Sequence, residues 1–224
     1  MAYRRTERET ARLAARHEAI VEAARALASE SGLGAVQIVP VAERAGIAAG
    51  TVYRYFPAKI DMVSALVAAV SAREIAAMRQ AADAAPGPLS ALAATIVTFA
   101  TRALAARRLA WATLAEPVDA DVAAVRTAYR RALTAEIATR LAAAIDSQHL
   151  PEQDANLAAP AVVGALIEGL IGPLAPDLPA NDPARTREAA QALALHALRG
   201  LGVVDARARG LVVQAPMPVK NAET

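Results

Sequence analysis

Residues 41–59 read Val41-Ala-Glu-Arg-Ala-Gly-Ile-Ala-Ala-Gly-Thr-Val-Tyr-Arg-Tyr-Phe-Pro-Ala-Lys59, a stretch that fits two short helices and the turn between them. The first helix begins slightly upstream, over 38–45, with Ile38, Val41, Ala42 and Ala45 facing inward at helical spacing. Pro40 falls in its first turn, where a missing N–H has no intrahelical partner to lose. Gly46, Ile47 and Ala48 turn the chain, and the second helix runs from Ala49 to Phe56, where Pro57 forbids a smooth continuation. Two short helices joined by a glycine-led turn describe a helix-turn-helix, in which the first helix braces and the second enters the DNA major groove. Within the second helix, Val52 and Phe56 are one turn apart and point inward. Ala49, Gly50, Thr51, Tyr53, Arg54 and Tyr55 are left outward or lateral. Two tyrosines and a threonine on such a face suit hydroxyl contacts to phosphates, with room for close backbone approach at Gly50.

Upstream, a longer helix is expected from about Thr10 to Ser31, with Leu13, Ile20, Val21, Ala24, Leu27 and Ala28 on one face and Gly32 as its stop. Ahead of it lies a basic arm. Arg4, Arg5, Arg8, Arg12 and Arg16 against Glu7 and Glu9 give residues 1–16 a net charge of +3, whereas the remaining 208 residues carry a net −1. An arm of this kind reaches for phosphates or a minor groove, and a solvated, frayed terminus carries the same charges.

Downstream, the composition is 55% hydrophobic but only 3% aromatic, with alanine supplying much of the apolar share. A chain rich in Ala, Leu, Arg and Glu is helical, so the expected fold class is all-α, helix packed on helix. Longer helices are expected over 58–82, 88–107, 109–115, 119–147, 154–174 and 183–201, divided by proline- and glycine-bearing breaks. The organisation expected is therefore a three-helix head with its basic arm over 1–57, a helical body over 58–203 and a flexible tail over 204–224. The body helix 119–147 carries Val122, Val125, Tyr129, Leu133, Ile137, Leu141 and Ile145 as an apolar stripe. Helices 154–174 and 183–201 have apolar residues on more than one side and must bury both. A second subunit is the simplest cover, so Val162, Leu166, Leu170, Leu195 and Leu198 are expected at a homodimer interface. A central helix wholly buried within one chain would give the same pattern.

The stretch 41–59 resembles the DNA-binding signature of TetR-family regulators: an apolar residue and Ala at Val41 and Ala42, Ala-Gly at 45–46, Gly-Thr at 50–51, Tyr53, Tyr55, Phe56 and Lys59. About 50 residues carry the resemblance, and the rest of the chain agrees in length and helical layout. It implies a double-stranded DNA operator read by a dimer, with Thr51, Tyr53, Tyr55 and Lys59 on phosphates and Gly50 passing close to the bases. Ala49 and Arg54 would sit where sequence is read, and Arg4, Arg5 and Gln37 join the DNA-facing set. Lys59 has separate support. Only Lys59 and Lys220 are lysines, and a cation in a first helical turn opposes the macrodipole. Two departures stand out. Ala48 occupies the position where the family usually has a capping Ser or Thr, and Gln37 that of a capping Thr. With Ala at 48 and 49, discrimination between bases is expected to be modest and to lean on Arg54 and DNA shape.

The resemblance also implies an apolar cavity in the body for an unknown small-molecule effector, with Phe99, Arg102, Trp111, Glu116, Tyr129 and Glu168 as its candidate contacts. Tyr129 also fits plain core, Glu116 also fits a solvated helix end, and Glu168 in the apolar run 162–171 needs a partner if buried. No cysteine is present, the three histidines lie far apart, and no phosphate loop or nucleophile elbow occurs. No enzyme, cofactor or metal site is therefore expected. There is no signal-peptide pattern and no apolar run of about 20 residues, so a cytoplasmic protein without a membrane span is expected. An activator of the same fold, or a helical sensor whose head no longer binds DNA, would share most of these features.

Overall fold

The computed structural model describes residues 2–118, 120–178 and 182–215, with side chains from residue 8 onward. Ten α-helices make up the described chain: α1 Ala2–Ser31, α2 Ile38–Arg44, α3 Ala49–Tyr55, α4 Lys59–Asp83, α5 Pro88–Ala105, α6 Arg107–Leu114, α7 Ala120–Asp146, α8 Ala155–Leu170, α9 Pro183–Gly200 and α10 Asp205–Gln214. A 3₁₀ turn at Leu33–Ala35 links α1 to α2. The all-α class and the helix-turn-helix follow the sequence expectation, while α1 starts earlier than Thr10.

Local chemistry sets most of the boundaries. Pro88 and Pro183 occupy first-turn positions, where their fixed φ suits a helix start. Asp154 accepts from the Asn156 N–H at 2.8 Å, and Asp182 accepts from the Arg185 N–H at 2.9 Å, so α8 and α9 open on true caps. Helix α4 has only the returning half of a capping box: Asp61 accepts the Ala58 N–H at 2.9 Å, but the Ala58 side chain offers no acceptor. Asp61 also places an anion beside Lys59 in the first turn, offsetting the unfavourable lysine charge.

Helix α1 packs on α2, α4 and α6, and α2 on α3, which closes the head around Ile20, Ala24, Val41, Val52 and Phe56. Helix α4 continues from the head into the body and lies against α5 and α7. Its far end is pinned by ions. Glu136, only 4% exposed, accepts from Arg79 at 2.8 Å and from Arg140 at 2.9 Å, and Arg140 also reaches Asp83 at 3.0 Å. Helix α5 is the body's centre, touching α4, α6, α7, α8, α9 and α10. It is apolar and long enough to cross a bilayer by length and composition, yet 72% of it is buried inside the fold.

Two expectations need correction. The residues from 205 to 214, expected to be loose, form α10, which packs on α9 and α5 through the buried Ala208 and Val212. Residues 216–224 lie outside the described part. Second, Val162, Leu166, Leu170 and Leu198 are buried within the single chain, where α8 meets α7 and α9, and Leu195 is partly buried there. The face of α8 left bare is the opposite one, with Leu157, Ala161, Gly164, Ala165 and Glu168 at helical spacing, beside Ala192 and His196 of α9. The largest side chains fill the chain's own core, so the small ones remain outside. Arg126 donates to the Thr113 and Ala112 carbonyls and Arg130 to that of Leu114, capping the C-terminal end of α6.

Candidate nucleic-acid interface and effector cavity

Helix α3 is built on one buried side. Val52 is fully buried, and Phe56 lies just past the helix end with its ring 4.9 Å from that of His17 on α1. The opposite side is bare: Gly50 and Arg54 are exposed and Tyr53 is 54% exposed. A Cβ at Gly50 would meet nothing within 4 Å, so the protein's own packing does not require glycine there. Thr51, Ala49 and Tyr55 are partly buried, and Tyr55 lies edge-on to His17 at 6.5 Å with the Arg54 guanidinium 5.8 Å from its ring. Lys59 is exposed at the start of α4, next to the α3 end. Gln37 is exposed and its side-chain amide donates to the Gly34 carbonyl at 3.0 Å, so it does not cap α2. Arg4 and Arg5 are carried by α1, and their side chains lie outside the described ones.

The turn before α3 holds Gly46 at φ 65°, a left-handed conformation that favours glycine. Ala48 sits at the cap position with extended backbone (φ −69°, ψ 142°) and no side-chain bond to the helix. The geometry for a cap is present and only the oxygen is lacking. Ala48→Ser is therefore expected to stabilise the protein by about 0.5–2 kcal/mol, which thermal melting would register as a rise of a few degrees.

In the body, Phe99 and Arg102 of α5, Tyr129 of α7 and Glu74 of α4 converge on a small cavity of about 20 Å³. Leu109, Ala110 and Leu114 of α6 close its other side. Arg102 binds the Glu74 carboxylate through two bonds of 2.7 Å, one to each oxygen. Tyr129 is 3% exposed, and burial, followed by the nearby Glu74 charge, pushes its hydroxyl ionisation far above the ordinary range. Three of the candidate contacts thus come together, and Glu74 joins them unannounced by the sequence, since a lone Glu on an amphipathic helix looks solvated.

The other three lie elsewhere. Trp111 is partly buried with the Arg108 guanidinium 5.1 Å from its ring. Glu168 is exposed on the bare face of α8 and makes only a long bond, 3.4 Å, from the Leu174 N–H. Glu116 leaves the end of α6 and accepts the backbone N–H of Leu33 at 2.9 Å, joining body to head. Its carboxylate stands about where a Cβ on Gly32 (φ 82°) would fall, at 2.9 Å, so glycine is required there twice over. A cleft of about 360 Å³ opens beside this contact, between Lys59, Ile60 and Val63 of α4 and the 116–122 segment.

Among the described residues no group of three or more His, Cys, Asp or Glu side chains could hold a metal ion. A helix-turn-helix head carried on a larger helical body is the class that this architecture defines. Residues 20–66 match the model of the bacterial regulatory proteins of the tetR family. Over 52 residues the chain is 56% identical to the HTH-type transcriptional repressor KstR of Rhodococcus jostii (strain RHA1) and 52% identical to KstR of Mycobacterium tuberculosis (strain ATCC 25618 / H37Rv). The match takes in 23% of this chain and 24% of each of those repressors, so it concerns the head alone. Over the whole length the fold resembles that of RolR in complex with resorcinol (TM-score 0.66, 22% identity, 94% of this chain and 98% of that one). It also resembles the fatty acid degradation regulator FadR of Bacillus halodurans (TM-score 0.66, 21% identity, 82% of this chain and 98% of that one). The head, over residues 20–66, is of the tetR-family type, and the body shares the fold of these regulators.

Proposed function

We propose that the protein is a transcriptional repressor that binds a palindromic operator as a dimer and is released by a small molecule. The observation that carries this reading is the bare side of α3, Gly50, Tyr53 and Arg54 over a buried Val52, within a head more than half identical to known repressors over 52 residues. An exposed tyrosine and a glycine that the protein does not need for itself suit a phosphate backbone at close range. In this reading Thr51, Tyr53, Tyr55 and Lys59 hold phosphates, assisted by Arg4, Arg5 and Gln37, while Ala49 and Arg54 face base edges. Residues 1–57 form the DNA-binding unit and 58–203, extended by α10, the effector and dimer unit.

The dimer forms through the bare faces of α8 and α9. Gly164 and Ala165 let a second copy approach closely, and Leu157, 73% exposed, is the apolar group it would cover. A second carboxylate at the centre of that face would be buried beside Glu168 without a counter-charge, so Ala165→Glu is expected to weaken dimerisation by tenfold or more. Sedimentation equilibrium would show monomer at micromolar concentration, with an unchanged circular dichroism spectrum.

Release works by population shift: the effector binds the head spacing that mismatches successive major grooves about 34–36 Å apart. Helix α4 runs from the head to the cavity wall at Glu74, and Glu116 ties the end of α6 to Leu33. Helix α4 lines the cavity directly, and α6 lines it through Leu109, Ala110 and Leu114 before the chain reaches Glu116. Footprinting on genomic fragments with and without effector tests the reading, because a regulator of this kind protects one inverted repeat and loses it on ligand addition.

A further inference from the structure

The cavity wall carries three polar groups, and their pairing limits what can bind there. Glu74 and Arg102 satisfy one another through both carboxylate oxygens and two guanidinium nitrogens. The pair is neutral as a unit, so no unmatched charge is left for an ionic ligand. An anion at the cavity would lie beside the Glu74 carboxylate, and a cation would compete with Arg102 for it. Tyr129 differs: its hydroxyl lines the cavity and makes no hydrogen bond among the described residues, although the side chain is only 3% exposed. A hydroxyl that faces a cavity and bonds no protein group is free to bond a ligand or water there. The rest of the wall is apolar, with Ala103, Ala106 and Ala110 at the α5–α6 junction offering little bulk to displace.

We infer that the cavity takes an uncharged, largely apolar molecule bearing one hydroxyl or carbonyl group, which hydrogen-bonds to the Tyr129 hydroxyl. The inference deepens the ligand-responsive reading above and rests on it for the word effector. The cavity of about 20 Å³ has room for about one water, so a larger ligand must displace part of its wall. Displacement on the α6 side would pull at the Glu116–Leu33 contact and so reach the head.

The test is calorimetric titration of the full chain without DNA at pH 7, using two matched sets. One is benzyl alcohol, benzoate and benzylammonium; the other is 1-naphthylmethanol, 1-naphthoate and 1-naphthylmethylammonium. In at least one set the alcohol should bind at least tenfold more tightly than either ion. Tyr129→Phe should lower that affinity about fivefold while leaving the melting temperature of the free protein little changed, because the hydroxyl bonds no protein group. Glu74→Gln frees the Arg102 charge and should reverse the preference in favour of the carboxylate. Equal or tighter binding of an ion to the unaltered protein, no binding by either alcohol, or an affinity indifferent to Tyr129→Phe overturns the inference. Because DNA is absent, these outcomes stand apart from failure of the regulatory reading, which shows instead as absence of operator binding.

Discussion

Phe56→Ala is expected to unfold the head and abolish DNA binding while the body stays helical. The ring is 3% exposed, lies 4.9 Å from His17, and closes the end of α3 over the same core that holds Val52, Val41 and Ile20. Removing a buried phenylalanine costs about 3–5 kcal/mol, and a head of some 50 residues has little stability to spare. Neither short helix has a side-chain cap, since Gln37 and Ala48 both lack the cap bond, so apolar packing alone holds the motif. Circular dichroism should show partial loss of helix, and amide exchange should localise that loss to residues 20–58. Full helicity with unchanged DNA affinity would show that the packing of α3 matters less than its geometry indicates.

The second large effect separates charge from hydrogen bonding at the DNA. Lys59→Ala removes from each head the cation proposed to meet a phosphate. In a dimer the salt dependence of log affinity should therefore flatten by about 2, about one for each lost contact. Tyr53→Phe removes only a hydroxyl, so affinity should fall several-fold with the salt slope intact. Both side chains are exposed, so neither change should move the melting temperature appreciably. Fluorescence anisotropy between 50 and 200 mM salt distinguishes the two. A Lys59→Ala protein with an unaltered slope would take that residue off the phosphate backbone.

The head was readable from sequence because its positions are chemically distinct. Gly46 has a left-handed turn to make, Val52 and Phe56 face inward while Tyr53 faces out, and Pro57 ends the run. The body was less readable because alanine marks no face. In α8 apolar residues lie on both sides, and periodicity could not say that Val162, Leu166 and Leu170 belong to the chain's own core while Leu157 and Ala165 stay outside. Helix α10 escaped for a similar reason, having Gly210 in its middle and only Ala208 and Val212 buried. Of the candidate cavity, Phe99, Arg102 and Tyr129 were visible as unusual groups, but Glu74 is identified only by the arginine it meets across 28 residues. Glu116 fits either a cavity contact or a solvated helix end by sequence, yet its partner is a backbone N–H at Leu33, which no side-chain pattern announces.

The central claim is that one chain both grips DNA and surrenders it to a ligand. Its most direct test is footprinting of the full-length protein on genomic fragments, repeated across a salt series and with the cavity-binding alcohol of higher affinity. The account predicts a single protected inverted repeat, an affinity that falls by decades between 50 and 200 mM salt, and release as the alcohol saturates the cavity. Protection that is spread without preference along the DNA, or that persists unchanged when the cavity is filled, would contradict it.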